Sequence, residues 1–166
     1  MKIVHAADLH IDSPLRGLAR LEEAPVTTIR LATRRAFEQL IALCLQEEAA
    51  LLLLAGDVFD GDWKDFHTGL FFVRQLNRLQ EVGTRVVFIR GNHDAASSVT
   101  RSLPLPPHVI ELATRAPESH VFEDLGVAVH GQGYATRAVE DNLAAAFPSP
   151  LDSLLNIGLL HTNATG

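Results

Sequence analysis

The chain has 166 residues, a mass of 18.1 kDa, 47% hydrophobic and 20% charged residues, and a net charge of −6. That composition excludes wholesale disorder and is enough for one ordinary domain with its own core, needing neither a disulfide nor a structural metal. Fourteen basic against twenty acidic residues argue against a generic nucleic-acid coat, although 12 of the 14 are arginine, the better bidentate phosphate binder.

Lys2 to Ala7 reads as a first buried strand, without the charged start and long apolar stretch of a signal peptide. A polar cluster, Asp8 to Ser13, follows, and then a loop carrying Arg16, Arg20, Glu22, Glu23 and Pro25. Thr27 or Thr28 is placed to cap a helix running to about Glu48, with Ile29, Ala36, Leu40, Leu43 and Cys44 at helical spacing. Leu51 to Ala55 is too short for a buried helix and ends at Gly56-Asp57, which predicts a buried strand. The longest apolar run, Ala49 to Ala55, is far too short to span a bilayer. Phe66 to Val82 predicts a second helix, with Leu70, Val73, Leu76 and Leu79 as its stripe and Gly83 just past its end. Arg85 to Arg90 is a third strand.

This β-α-β-α-β order predicts a parallel sheet with helices packed on it. Beyond it, Pro104, Pro106 and Pro107 mark a loop, and His120–Glu123 with Val127–His130 predict a hairpin. A short helix near Val139–Ala146 and a last strand near Asn156–Leu160, stopping at His161, complete the reading. The single cysteine, Cys44, cannot form an internal disulfide. A soluble, cytoplasmic protein of one domain, residues 1–166, is expected.

Four polar clusters each end a predicted strand: Asp8-Leu9-His10, Gly56-Asp57-Val58-Phe59-Asp60, Gly91-Asn92-His93-Asp94 and His161-Thr162-Asn163. Singly, each reads as a turn or a loop corner. Jointly they point to one cleft, because the C-terminal ends of strands in an open α/β sheet share an edge where ligands bind. Carboxylate, imidazole and amide oxygen form a mixed donor set suited to manganese, iron or zinc. Two ions about 3.5–4 Å apart need a carboxylate that bridges them, and such a pair supports phosphoryl transfer. Asp57, central in the sheet order, is the natural bridge. His93 follows directly after a candidate ligand, so it can lie beside the ions, and Asp94 is placed to orient it.

The ordered series Asp8-x-His10, Gly56-Asp57-x-x-Asp60 and Gly91-Asn92-His93-Asp94 closely resembles the calcineurin-like metallophosphoesterases. Within them, His5 to Pro14 and Ala55 to Asp60 are similar to DNA repair nucleases of the SbcD type, in particular a bacterial YhaO-like branch. The resemblance implies a metallophosphoesterase β-sandwich flanked by helices. It implies that Asp8 and His10 bind a first ion, that Asp57 bridges, that Asn92 and His161 bind a second, and that His93 is the catalytic histidine. It further implies a manganese-dependent DNA exonuclease or endonuclease subunit, with DNA as substrate and an SMC-like ATPase of the SbcC type as partner. A phosphatase or cyclic-nucleotide phosphodiesterase is the alternative within enzymes; a non-catalytic metal-binding or assembly module is the alternative outside them.

Two departures from the family pattern stand out. The final Gly-His-x-His motif is absent, and His130-Gly131 has the wrong order and precedes His161. The expectation is therefore a catalytic domain lacking its last strands, with an exposed edge that favours self-association. Asp60 occupies a position where some nucleases of this group carry a second catalytic histidine; here it is expected to orient a ligand. Other candidates keep ordinary readings: His5 as a satisfied buried strand histidine, His67 as surface, His108 and His120 without a role, His130 at most on the cleft edge. Arg16, Arg20 and Arg101 read as solvated loop arginines, and Trp63, between Asp62 and Lys64, as a partly exposed anchor.

Overall fold

The computed structural model describes residues 1–13, 26–60, 66–97 and 103–163. The elements are β1 (Ile3–Ala6), α1 (Val26–Gln46), β2 (Leu51–Ala55), α2 (Phe66–Arg78), β3 (Arg85–Ile89), α3 (Asn92–Ala96), β4 (Val109–Glu111), β5 (Glu118–Phe122), β6 (Val127–Gln132) and β7 (Leu155–Leu160). They form two sheets. One is all parallel with order β1-β2-β3-β4, and the other has order β5-β6-β7. In the second sheet β5 is antiparallel to β6, and β7 runs parallel to β6.

All five residues of β2 are buried, as the uninterrupted Leu51-Leu52-Leu53-Leu54 run requires of a strand covered on both faces. Its alternating side chains serve two cores. Leu52 and Leu54, with Val86 and Phe88 of β3, pack on Phe37, Ile41 and Cys44 of α1 and Phe72 and Leu76 of α2. Leu51, Leu53, Val87 and Ile89 face the second sheet at Phe122, Val127, Val129 and Leu159. The layers are therefore helices, parallel sheet and mixed sheet, the sandwich flanked by helices that the sequence predicts. Burial pushes the Cys44 thiol up to about 11, consistent with a residue that serves as core.

The helical stripes agree with the expectation in part. Among the described side chains of α1, Cys44 is buried as expected, with Phe37 and Ile41, whereas Leu43 is 46% exposed and Ala36 is also exposed. Leu76 of α2 and Leu79 after it are buried as expected, with Phe72, while Leu70 is 56% exposed. Both helices carry apolar residues on either side of the buried stripe, so periodicity alone leaves its edges open. The first helix starts at Val26, which puts Thr27 and Thr28 inside its first turn instead of at its cap. The second closes with a 3₁₀ turn, Leu79–Val82, and a left-handed Gly83 at φ 73°.

Three elements depart from the sequence reading. The proline-marked loop is followed by β4, which extends the parallel sheet; three residues are too few to show a period. The helix expected over Val139–Ala146 is only a 3₁₀ turn at Leu143–Ala146 with no buried residue, since its alanines have no apolar stripe to bury. The last strand, β7, belongs to the second sheet. The predicted hairpin is present as β5 and β6, joined through a left-handed Gly126.

Asp12 ties the segment after β1 to both helices. It is 7% exposed and sits at φ 59°. It accepts hydrogen bonds from Arg34 Nε at 2.7 Å and Thr68 Oγ1 at 2.6 Å, and its own N–H donates to Thr33 Oγ1 at 3.1 Å. Asp12→Ala removes the buried carboxylate that Arg34 and Thr68 both bond and is expected to lower stability by about 3 kcal/mol. Urea unfolding checks this, and a loss below about 1 kcal/mol, the scale of an exposed pair, would show that this clamp does not secure the segment.

Candidate metal centre

The three parallel strands β1, β2 and β3 deliver their C-terminal ends to one edge, and β7 delivers His161 to the same place from the second sheet. The segment after β1 runs along the one after β2: Asp8 N–H donates to the Gly56 carbonyl at 3.1 Å, and His10 N–H to the Asp57 carbonyl at 3.0 Å. Asp8, His10 and Asp57 all have positive φ, at 54°, 41° and 52°. Backbone strain thus concentrates at the strand exits, a place where packing must over-determine it.

Glycine is required where these segments meet. A Cβ on Gly91 would lie 2.2 Å from Asp57 Oδ1, and one on Gly56 would lie 2.7 Å from the Gly91 nitrogen and 2.9 Å from His161 Nδ1. Asp94 locks the contact. Its carboxylate is fully buried and accepts from the amides of Phe59 at 3.0 Å, Gly91 at 3.0 Å and Val58 at 3.2 Å. Burial outweighs the pull of the three amides and leaves this carboxyl raised to about 6. Asp94 therefore does not orient His93. Its oxygens are engaged by backbone amides on the far side of the turn, and it acts as a clamp between two loops.

Asp60 takes the position expected of Asp94. Its Oδ1 lies 2.8 Å from His10 Nδ1 and 3.2 Å from His93 Nδ1, and the two rings meet edge to face at 5.1 Å. Burial raises the Asp60 carboxyl, but Ser13, His10 and His93 outweigh it and hold the group below its ordinary value. With Nδ1–H donated to Asp60, His10 turns its Nε2 to Asp57 Oδ2 at 3.9 Å and Asp8 Oδ1 at 4.0 Å.

Asp57 is 3% exposed and stands between the histidines. Its Oδ1 accepts the His93 N–H at 2.9 Å, while its Oδ2 lies 3.5 Å from His161 Nε2. His161 donates its Nδ1–H to the Ala55 carbonyl at 2.8 Å, and its Nε2 lies 3.0 Å from Asn92 Oδ1. So Asp57 Oδ2, Asn92 Oδ1 and two imidazole Nε2 atoms converge, and these mixed nitrogen and oxygen donors fit divalent manganese, iron or zinc. Donor atoms of Asp8, Asp57 and His161 all lie within 4.8 Å of one another, as do those of His10, Asp60 and His93.

Asp8, His10, Asp57, Asn92, His93 and His161 line a cleft of about 470 Å³ whose walls also include His5, Tyr134, Thr162 and Asn163. His5 is exposed, not buried, because it lies on the face of Ile3 and Ala7, at the rim of the core between the sheets. Tyr134 had no motif to announce it; its ring meets His161 edge to face at 5.7 Å. His130 is away from the cleft walls and structural, held between Ser119 Oγ at 2.7 Å and Asn156 Oδ1 at 2.8 Å. His67 is exposed, His108 bonds the Leu76 carbonyl, and His120 packs on Phe122. Arg16, Arg20, Arg101 and Trp63 lie outside the described residues.

A family model described as calcineurin-like phosphoesterase matches residues 1–159. Over its whole length the chain is 32% identical to the metallophosphoesterase YhaO of Bacillus subtilis (strain 168), a protein described as uncharacterized. It is 28% identical over 81% of its length to the DNA double-strand break repair protein Mre11 of Methanopyrus kandleri. It is 30% identical over 70% of its length to a subunit of the nuclease SbcCD of Bacillus subtilis. The chain spans 41%, 30% and 29% of those three proteins.

Proposed function

The chain belongs to the calcineurin-like phosphoesterase family, and on that basis we propose that its cleft serves a two-metal phosphodiester hydrolase acting on DNA. The observation that carries this is Asp57 Oδ2, buried and facing the Nε2 atoms of both His10 and His161 at 3.9 and 3.5 Å. Asp8, His10 and Asp57 would hold one ion; Asp57, Asn92 and His161 would hold the other. Bound there, a pair of divalent cations, manganese by preference, supplies Lewis acidity to a phosphoryl oxygen and an acidified water.

The chain's own residues do the rest. Asp60 fixes the rings of His10 and His93 through their Nδ1 atoms, which leaves His93 Nε2 to protonate the leaving oxygen or to stabilise charge on the phosphoryl group. Asp94 keeps the Gly91 and Val58 backbones in register beneath them. DNA as substrate, and an SMC-like ATPase of the SbcC type as partner, are supported by the names of two relatives, a double-strand break repair protein and a subunit of a nuclease complex. A cytoplasmic location belongs to the same reading. Among the described residues no helix is long and apolar enough to cross a membrane.

Manganese titration by calorimetry tests the centre. Two ions per chain are expected, with Asp57→Ala removing at least one of them. One ion or none would mean that these residues form only part of a centre, and binding without hydrolysis would favour an assembly module. Duplex DNA should then be cleaved in preference to an aryl phosphate; the reverse preference would indicate a phosphatase.

A further inference from the structure

The cleft is rich in acceptors and poor in charged donors. Asp8, Asp57 and Asn92 Oδ1 all present acceptors, and neither lysine nor arginine is among the described residues that line it. This holds in a chain with twelve arginines. Besides His93 and any cations, the described walls therefore offer an anionic phosphodiester only neutral donors. Thr162 is exposed and its hydroxyl turns to the neighbouring Asn163 carbonyl at 3.4 Å. Tyr134 is differently placed. Its N–H donates to the Arg90 carbonyl at 2.9 Å, and the preceding Gly133 N–H to the Ala113 carbonyl at 3.0 Å. A Cβ on Gly133 would come within 2.8 Å of the Arg90 nitrogen, so the backbone that carries Tyr134 sits directly on the exit of β3. The ring is fixed edge to face on His161, interplanar angle 86°. Among the described residues its hydroxyl has no hydrogen-bond partner.

We propose that Tyr134 is a substrate-contacting residue whose phenol hydroxyl donates a hydrogen bond to a non-bridging oxygen of the phosphodiester, on the His161 side of the cleft. This rests on the phosphoesterase reading above. A rigid, half-buried aromatic loses little freedom on binding, and a neutral hydroxyl adds no charge that would compete with a cation for Asp57 or His161.

Binding of a phosphorothioate-linked dinucleotide at saturating manganese, measured by calorimetry, tests the proposal. Tyr134→Phe keeps the ring on His161 and is expected to weaken the dinucleotide about tenfold or more, the range for a hydrogen bond to a charged group, with manganese affinity unchanged. Tyr134→Ala, which also strips the ring from His161, should weaken both. Because the chain has a single tyrosine, carbon-13 labelling at its Cζ should give one resonance that moves on addition of the dinucleotide. Unchanged dinucleotide affinity in Tyr134→Phe would overturn the proposal and leave the phosphoesterase reading standing. Equal loss of manganese in that variant would overturn it too, since the effect would then run through His161. No binding by the wild-type chain would sink both.

Discussion

Replacing His93 with alanine is expected to lower phosphodiester hydrolysis by about 10²–10⁴-fold, the usual contribution of a placed acid or base, while leaving the fold and the bound manganese in place. The separation of effects follows from geometry. The His93 backbone, not its ring, donates to Asp57 Oδ1, so alanine preserves the hydrogen bond that steadies the candidate bridging carboxylate. The ring itself is half-buried and contacts Asp60 and the edge of His10, neither of which is a core contact. Asp60→Asn should reduce turnover as well, because a neutral amide with a single acceptor oxygen replaces the carboxylate that holds both histidines. The double variant should lose less than the product of the two single effects, since Asp60 acts on this step through His93. Steady-state kinetics with calorimetry on the same samples would decide it. Normal turnover in His93→Ala would remove His93 from the chemistry.

Gly91→Ala is expected to destabilise the protein by about 3 kcal/mol or more and to abolish tight manganese binding. The backbone itself is no obstacle: Gly91 lies at φ −86° and ψ −173°, where alanine is comfortable. The obstacle is the methyl group, which would stand 2.2 Å from Asp57 Oδ1 and 2.6 Å from the Asp57 nitrogen. Asp57 is buried and cannot withdraw without losing the His93 amide. Gly83→Ala is the informative control. It is left-handed at φ 73° but has nothing within 4 Å, so alanine there should cost about 1 kcal/mol through backbone strain and leave the cleft untouched. Thermal unfolding and manganese titration of both variants separate the two mechanisms. A Gly91→Ala protein with wild-type stability and metal affinity would contradict the close approach of the two loops.

Much of the architecture was legible in local pattern. The Leu51–Leu54 run ending at Gly56-Asp57 can only be a strand covered on both faces, and the spacing of polar clusters after successive strands already places Asp8, His10, Asp57, Asn92 and His93 at one edge. The family likeness follows from the same short motifs. What local pattern cannot carry is the relation between loops. In sequence Asp94, directly after His93, reads as its partner, and Asp60, 33 residues before it, as the partner of a ligand. Adjacency favoured Asp94, yet α3 turns that side chain inward onto three amides, while the return of the β2 loop brings Asp60 beneath two imidazoles.

Short motifs and apolar runs were thus enough for the succession of the first strands and helices, the donor types and the family. The edges of both helical stripes, the membership of β7 in the second sheet, the exposure of His5 and the placement of Tyr134 on His161 emerged only once the chain was folded. Periodicity reports what one segment buries, whereas hydrogen-bond direction and ring contacts depend on how segments far apart in sequence are set against one another.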